Sequence, residues 1–152
     1  MSELRFEVSD PSSKLATELL RQFKEEVNKR YPDELVRDID INDFISRGGV
    51  FLITYSGQEV AACGAFYPLN KSEIELKRMY VLPDYRGQGL ARRLVAHLED
   101  IGRKQGYAKM LLETGRRQPE AIGLYLSEAY HEIDPFGQYV NDPNSICFEK
   151  LI

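Results

Sequence analysis

Apolar and polar residues alternate with two different periods along this chain. Leu4 to Val8 carries an apolar residue at every second position, which is the pattern of a half-buried strand. From Leu15 to Val27 an apolar residue recurs at every fourth position, which predicts an amphipathic helix. Asp10 and Pro11 precede that segment as the predicted N-cap and first helical residue. The chain is therefore predicted to open with a strand and a helix.

The same patterns continue to the end of the chain and predict seven strands and four helices in all. Their order, β-α-α-β-β-β-α-β-α-β-β, favours an α/β fold with one mixed sheet and helices on both faces. The later predicted elements are a helix at Asp40–Ser46, a hairpin of Gly49–Tyr55 and Gln58–Tyr67, a strand at Ser72–Val81, a helix at Leu90–Gln105, a strand at Tyr107–Glu113, a helix at Pro119–Ser127, and two strands after Tyr130 around the loop Pro135-Phe136-Gly137.

The composition bounds the classes of protein to which the chain can belong. Its 152 residues, 43% of them apolar, predict a single domain over residues 1–152. A net charge of −4 argues against a nucleic-acid binder, which usually carries a basic balance. The sequence has no apolar signal segment and no run of about twenty apolar residues, so we expect no membrane contact and a cytoplasmic location.

The cysteines and histidines give no sign of a metal site. Cys63 and Cys147 each lie within an apolar strand-like segment and are predicted to be buried core thiols. His97 and His131 lie in unrelated segments, so no ligand spacing is present. We therefore expect no metal.

A glycine-bearing turn between a predicted strand and helix is the strongest chemical signal. In the run from Asp84 to Ala91, Gly87 and Gly89 allow close approach of a ligand to the backbone, and Arg86 adds a bidentate cation. A turn of this kind at a helix N-terminus can cradle phosphate oxygens, although a tight turn with no ligand has the same composition. Arg92 stands where a dinucleotide-binding fingerprint needs a third Gly or Ala, and no P-loop sequence occurs.

The sequence around this turn resembles the GNAT N-acetyltransferase superfamily. Arg86, Gly89 and Ala91 match the family's phosphate turn position for position. The segment Glu75–Pro83 resembles the family's fourth strand. Ala121, Leu124 and Tyr125 resemble its fourth helix. The resemblance covers nearly the whole chain and implies a GNAT-like fold of about seven strands.

The resemblance implies acetyl transfer from acetyl-CoA, without a metal. The pyrophosphate would lie on the glycine turn and the pantetheine arm along the fourth strand, where the family has a β-bulge whose freed N–H group can hold the thioester oxygen. Two positions depart from the family: Gln118 replaces a common Asn, and Ala129 replaces a Gly. The residues implied in cofactor binding are Met79, Tyr80, Val81, Arg86, Gly87, Gln88, Gly89, Leu90, Ala91 and Gln118.

Two side chains are candidates for acid and base catalysis. Tyr125 matches the family position beside the thioester sulfur, where a phenol can protonate the leaving thiolate; otherwise it is an aromatic packing residue. Glu75 matches a strand-four glutamate that takes the amine proton in many family members, directly or through water. A solvent-facing strand residue is the alternative for Glu75.

The acceptor is predicted to be an amine of a small molecule or of a protein. The resemblance places the acceptor site beside the first two helices, where an acidic stretch from Glu25 to Glu34 would attract a cation if it is not simply a solvated face. Glu26 and Tyr31 are the residues expected to bind the substrate. Arg116 and Arg117 leave a zwitterionic acceptor open. A homodimer is compatible with the family.

Two other classes of protein compete with the enzyme. A sensor of the same fold would bind acyl-CoA without turnover, and it would have no need of Tyr125 beside the sulfur or of Glu75. A scaffold protein would not bind CoA at all. Release of the CoA thiol in the presence of amines separates an enzyme from a sensor.

Overall fold

The computed structural model describes residues 3–33, 36 and 38–152, and within this part of the chain seven strands form one sheet. The strand order is β1-β2-β3-β4-β5-β7-β6. The mixed α/β sheet predicted from the sequence is confirmed. Its strands are β1 (Leu4–Ser9), β2 (Val50–Ser56), β3 (Glu59–Pro68), β4 (Glu73–Val81), β5 (Lys109–Gly115), β6 (His131–Ile133) and β7 (Ser145–Leu151).

The strands pair in two blocks that meet at β4 and β5. The first four strands form an antiparallel meander. β4 and β5 pair in parallel, as the helical crossover between them requires. β7 then pairs antiparallel with both β5 and β6. The helices are α1 (Lys14–Arg30), α2 (Ile41–Ser46), α3 (Leu90–Lys104) and α4 (Pro119–Ser127).

The first helix begins three residues later than the sequence pattern predicts. Ser13 is its N-cap, and the Ser13 hydroxyl accepts a hydrogen bond from the N–H of Ala16 at 3.1 Å. Asp10 instead accepts bonds from the N–H and hydroxyl of Ser12 at 2.8 and 2.7 Å. The N-cap prediction for Asp10 is wrong, because its carboxylate holds the turn that precedes the helix. Leu15, expected on the buried face, is 37% exposed.

The two faces of the sheet are covered by different helices. On one face Leu94 and Leu98 of α3 are fully buried in a cluster that includes Leu76 of β4. On the other face Leu19 of α1 and Phe44 of α2 pack in a second cluster. Successive residues of a strand point to opposite faces of the sheet and therefore pack in different clusters.

Two chain reversals differ in detail from the sequence prediction. β5 begins at Lys109 because Gly106, at φ +95°, ends α3 and the Tyr107 N–H donates to the Gly102 carbonyl at 3.0 Å. After α4, Ala129 has φ +70°. This is the left-handed conformation that the family's glycine adopts without strain, so the substitution keeps the turn at an energetic cost.

Both cysteines are buried, as predicted. Cys63 is fully buried and Cys147 is 1% exposed. Burial raises the pKa of the Cys63 thiol to about 12, so this thiol stays protonated. Among the described residues, no group of three or more His, Cys, Asp or Glu side chains is arranged to hold a metal ion. The described helices include none that is both long and apolar enough to cross a membrane.

Candidate active site

The sheet opens between its two central strands. The parallel pairing is short: residues 73–76 of β4 pair with residues 109–112 of β5. Beyond these residues the strands separate, and a cleft of about 870 Å³ lies between them. Because the facing edges of β4 and β5 are not paired with each other there, an extended ligand with amide groups can lie between them and pair with the strand backbone.

A β-bulge in β4 borders this cleft. Ala65 pairs with Lys77 and Cys63 pairs with Tyr80, so the two residues between them on β4, Arg78 and Met79, lie opposite the single residue Gly64. Arg78 takes φ +58° at this point. A Cβ on Gly64 would lie 2.5 Å from the Met79 sulfur, so a larger residue opposite the bulge would have to displace the Met79 side chain. The bulge lies next to Tyr80 and Val81, where the family resemblance implies it.

The glycine turn forms a concave surface at the end of the cleft. A 3-10 turn (Pro83–Tyr85) follows β4, and Gly89 is the N-cap of the fifteen-residue helix α3. Gly87 and Gly89 have φ values of +76° and +80°, which favour glycine. A Cβ on either would meet no atom within 4 Å, so the space above the turn is open. Open space over unpaired helix N–H groups fits the phosphates of a nucleotide-like cofactor.

Arg86 is held across the mouth of this turn. Its Nε donates to the Val81 carbonyl at 2.8 Å, and one terminal nitrogen lies 2.6 Å from a carboxylate oxygen of Glu26 on α1. The guanidinium also lies 5.6 Å from the centre of the Tyr80 ring. Glu26 was expected on the acceptor side, and the structure places it beside the phosphate turn.

Tyr125 projects from α4 towards the middle of the cleft. It is 6% exposed and its ring packs edge-on against Tyr130. Burial, with a smaller contribution from the charge of Glu113, raises the pKa of the Tyr125 phenol. The hydroxyl therefore keeps its proton near neutral pH and is available as a hydrogen-bond donor.

Two carboxylates of neighbouring strands lie at or near the cleft. Glu75 of β4 is 4% exposed, and its Oε2 accepts a hydrogen bond from the Tyr139 hydroxyl at 2.7 Å. Glu113 of β5 lines the cleft directly, and its Oε2 accepts a bond from the Ser145 hydroxyl at 2.6 Å. Burial raises the pKa of Glu113, the Ser145 bond opposes that rise, and the charge of Asp142 adds to it.

One cleft thus has a glycine turn at a helix N-terminus at one end and a buried tyrosine and carboxylates further along. Consistent with this, a model of the acetyltransferase (GNAT) family matches residues 13–129. The chain belongs to this family. The fold and the acetyltransferase class predicted from the sequence are confirmed.

Relatives and solved structures agree with this assignment of the GNAT acetyltransferase. This chain is 32% identical to an IAA acetyltransferase of Azospirillum brasilense, over 92% of each chain. It is 25% identical to an uncharacterized N-acetyltransferase, YsnE, of Bacillus subtilis, over 98% of this chain and 100% of the relative. A GNAT family acetyltransferase from Elizabethkingia anophelis, crystallised with acetyl-CoA bound, has the same fold with a TM-score of 0.75 at 14% identity, and the match covers both chains completely.

The structure brings most of the sequence-predicted site residues of this acetyltransferase into one cleft. Glu75 stands behind the lining, and Gln88 is exposed on the outside of the turn. The predicted residues that line the cleft are Glu26, Tyr31, Met79, Tyr80, Val81, Arg86, Gly87, Gly89, Leu90, Ala91, Gln118 and Tyr125.

The arginine pair after β5 connects elements of the enzyme instead of lining its cleft. Arg117 and Arg30 exchange hydrogen bonds between side chain and carbonyl at 3.1 and 3.3 Å. The Arg117 N–H donates to the Tyr31 hydroxyl at 2.9 Å, and the Arg117 guanidinium lies over the Tyr31 ring. The Arg116 Nε donates to the Pro143 carbonyl. These contacts fasten the end of α1 to the loop that precedes α4.

Among the described residues, the acidic ones between Glu25 and Glu34 do not share one partner or one location. Glu25 pairs with Arg21 of the same helix at 2.5 Å and points away from the cleft. Glu26 pairs with Arg86. Asp33 is exposed, and Glu34 lies outside the described residues. The stretch therefore does not form one anionic wall in the part that the structure describes.

Sequence reasoning missed several cleft residues that the last loop brings in. Tyr139 belongs to a second 3-10 turn (Gly137–Tyr139), and Asp142 and Ser145 follow it. Glu113 was visible only as the last residue of a predicted strand. The one available signal was its place as an acidic residue directly after the apolar run Met110–Leu112.

Proposed function

We propose that this protein transfers the acetyl group of acetyl-CoA to a primary amine, of a small molecule or of a protein, by direct attack within a ternary complex. The observation that carries the proposal is that one cleft is lined by the glycine turn before α3 and by Tyr125 and Glu113. Acetyl-CoA would supply the activated acetyl thioester.

The turn from Arg86 to Ala91 would hold the pyrophosphate through helix N–H groups and the Arg86 charge. The unpaired edge of β4 from Met79 to Val81 would pair with the pantetheine amides, and the bulge would offer an N–H group to the thioester oxygen. Gln118 lines the cleft before α4 and can donate a further hydrogen bond. This fit supports CoA as the co-substrate.

Two routes lead the amine proton to a carboxylate. Glu113 reaches the cleft directly, and its raised pKa brings it towards the range of a useful base. Glu75, the residue that the family pattern favours, is connected to the cleft through the hydroxyl of Tyr139. We assign proton acceptance to Glu113, with Glu75 and Tyr139 as the alternative path.

Tyr125 would act as the acid. The ammonium gives one proton to the base, the neutral nitrogen attacks the thioester carbon, and a C–N bond forms as the C–S bond breaks. Tyr125 gives its proton to the leaving sulfur and regains one from the nitrogen. The products are an acetamide, the CoA thiol and one proton released to water.

The test is release of the CoA thiol from acetyl-CoA by the purified protein with a panel of primary amines and lysine-containing peptides. Amine-dependent thiol release together with the matching acetamide in mass spectrometry supports the proposal. Tight binding of acetyl-CoA in calorimetry without turnover on any acceptor indicates the sensor, and absence of binding indicates a scaffold.

A further inference from the structure

The cleft carries charges of both signs at the end where β4 and β5 begin to separate. Arg78 is two residues past Leu76, and Glu113 is one residue past Leu112, where the pairing of β4 and β5 ends. Both side chains line the cleft, and Asp142 joins them from the last loop. A cation and two anions thus line the same end of the cleft, at the start of the gap between the strands.

The Arg78 guanidinium is positioned to meet a planar anion. It is half-buried and lies 5.3 Å from the centre of the Phe23 ring of α1. Burial lowers the pKa of Arg78. The pKa is raised by the charges of Tyr139, Glu75, Asp38 and Glu113, which offset only part of the effect of burial. A guanidinium has five donors, so contacts with neighbouring side chains are compatible with a bidentate contact to a carboxylate.

The backbone at this position adds an independent observation. Arg78 has φ +58°, a left-handed conformation that strains a non-glycine residue and that Gly or Asn adopts more easily. An arginine at the bulge therefore brings its charge into the cleft at the expense of backbone strain.

The opposite wall suits an ammonium group. Burial raises the pKa of Glu113, and the charges of Asp142 and Glu75 add to that rise, while the Ser145 hydrogen bond and Lys77 oppose it. Two other cations that line the cleft already have carboxylate partners: Lys77 lies 3.6 Å from Glu75, and Arg30 lies 3.6 Å from Glu120. The Ser145 hydroxyl already contacts both Glu113 and Asp142, at 2.6 and 3.1 Å, and an ammonium group on the cleft side of these carboxylates would offset their mutual repulsion.

We propose that the acceptor is an amine with a carboxylate close to it, of the amino-acid class, whose carboxylate contacts Arg78 while its amino group faces Glu113. This inference rests on the proposed function and names the substrate class of the same site. It disfavours polyamines and peptide amino groups, since neither places a carboxylate within a few bonds of the reacting nitrogen.

The experiment compares amino acids with their amides, which keep the side chain and the amine and lack the carboxylate. We measure kcat/KM for glycine, alanine and phenylalanine and for the three amides, in wild type, Arg78→Met and Arg47→Met. Arg47 is the matched control, an arginine over the Tyr67 ring and outside the cleft. The ratio between variants cancels the difference in intrinsic reactivity of acid and amide.

We expect the wild type to prefer the acids, and Arg78→Met to lower that preference about tenfold or more, mainly through KM, with unchanged acetyl-CoA affinity. Calorimetry of the amino acid with the protein alone should show the same loss of binding. Equal use of acids and amides by the wild type, an equal loss on both in Arg78→Met, or turnover confined to peptides overturns the inference and leaves the proposed function standing. Absence of turnover on every amine overturns the proposed function, and the calorimetry then decides the inference alone.

Discussion

At the scale of single residues, Tyr125 bears most of the proposed chemistry. It is buried on α4 and its raised pKa keeps the phenol protonated. Tyr125→Phe keeps the ring and its packing against Tyr130, so folding and acetyl-CoA affinity should change little. We expect kcat to fall about a hundredfold, the scale of a lost general acid.

The measurement is single-turnover thiol release, so that product release does not mask the chemical step. Tyr55→Phe, a tyrosine outside the cleft on β2, is the control and should behave as wild type. An acyl donor with a more acidic thiol should recover part of the Tyr125→Phe rate. A rate close to wild type in Tyr125→Phe would remove this residue from the acid role.

Glu113 gives a second prediction at the residue scale. The Ser145 hydrogen bond lowers the pKa of Glu113 and the charge of Asp142 raises it. Ser145→Ala should therefore move the acid limb of the kcat/KM profile to higher pH, and Asp142→Asn should move it to lower pH. The two shifts have opposite signs because one variant removes a stabiliser of the charged form and the other removes a like charge.

The pH dependence of kcat/KM at low ionic strength checks both shifts, since that profile reports groups of the free enzyme. Tyr139→Phe is the matched variant for the alternative base, because it removes the hydrogen bond to Glu75. If the limb moves in Tyr139→Phe and stays in place in the other two variants, Glu75 is the base and the assignment to Glu113 is wrong.

At the scale of elements, α1 is tied to the phosphate turn. Glu26 holds Arg86 at 2.6 Å, the charge that the pyrophosphate would need. Glu26→Gln should free Arg86 and strengthen acetyl-CoA binding by about two- to fivefold, the scale of an exposed ion pair. The gain should shrink as salt rises, because screening already weakens the pair in wild type.

Calorimetric titration with acetyl-CoA at two salt concentrations tests this tie. Glu25→Gln is the control, since Glu25 is the adjacent residue on α1 and pairs with Arg21 on the outer side. Weaker acetyl-CoA binding in Glu26→Gln, or a higher acceptor KM with unchanged cofactor affinity, would return Glu26 to the acceptor side where the sequence placed it.

At the scale of the whole molecule, a buried polar network joins α3 to the last strands. Glu99 of α3 accepts hydrogen bonds from Lys150 at 3.0 and 3.1 Å and from the Tyr130 hydroxyl at 2.8 Å. Lys150→Met would leave the 6% exposed Glu99 without its counter-charge. We expect the free energy of unfolding to fall by about 1–3 kcal/mol, the scale of a charged hydrogen bond broken on one side.

Urea denaturation of Lys150→Met, Glu99→Gln and the double variant forms a double-mutant cycle for this network. The double variant should lose less stability than the sum of the single ones, because removing both charges removes the unpaired one. Lys104→Met, which breaks an exposed pair with Asp100, should leave stability unchanged. Strict additivity would show that the network does not couple the two elements.

Local patterns in the sequence sufficed to predict the order of elements, the α/β class and the glycine turn before α3. These features depend on local rules: apolar spacing sets helix or strand, and glycines at left-handed positions between a strand and a helix set the turn. Gly87 and Gly89 have positive φ, as a turn of this kind requires. The same rules failed at Asp10, because a carboxylate followed by Ser12 can hold a turn as well as cap a helix.

Only the tertiary structure decided which side chains meet in the cleft. Glu113 and Tyr139 are 26 residues apart, and Glu26 and Arg86 are 60 apart; no periodicity relates such positions. Glu113 and Tyr139 come together because β7 inserts between β5 and β6, and Glu26 reaches Arg86 because α1 packs against β4. Long-range strand pairing and the bulge at Arg78 are set by the packing of the whole sheet, so they could not be predicted from a local sequence pattern.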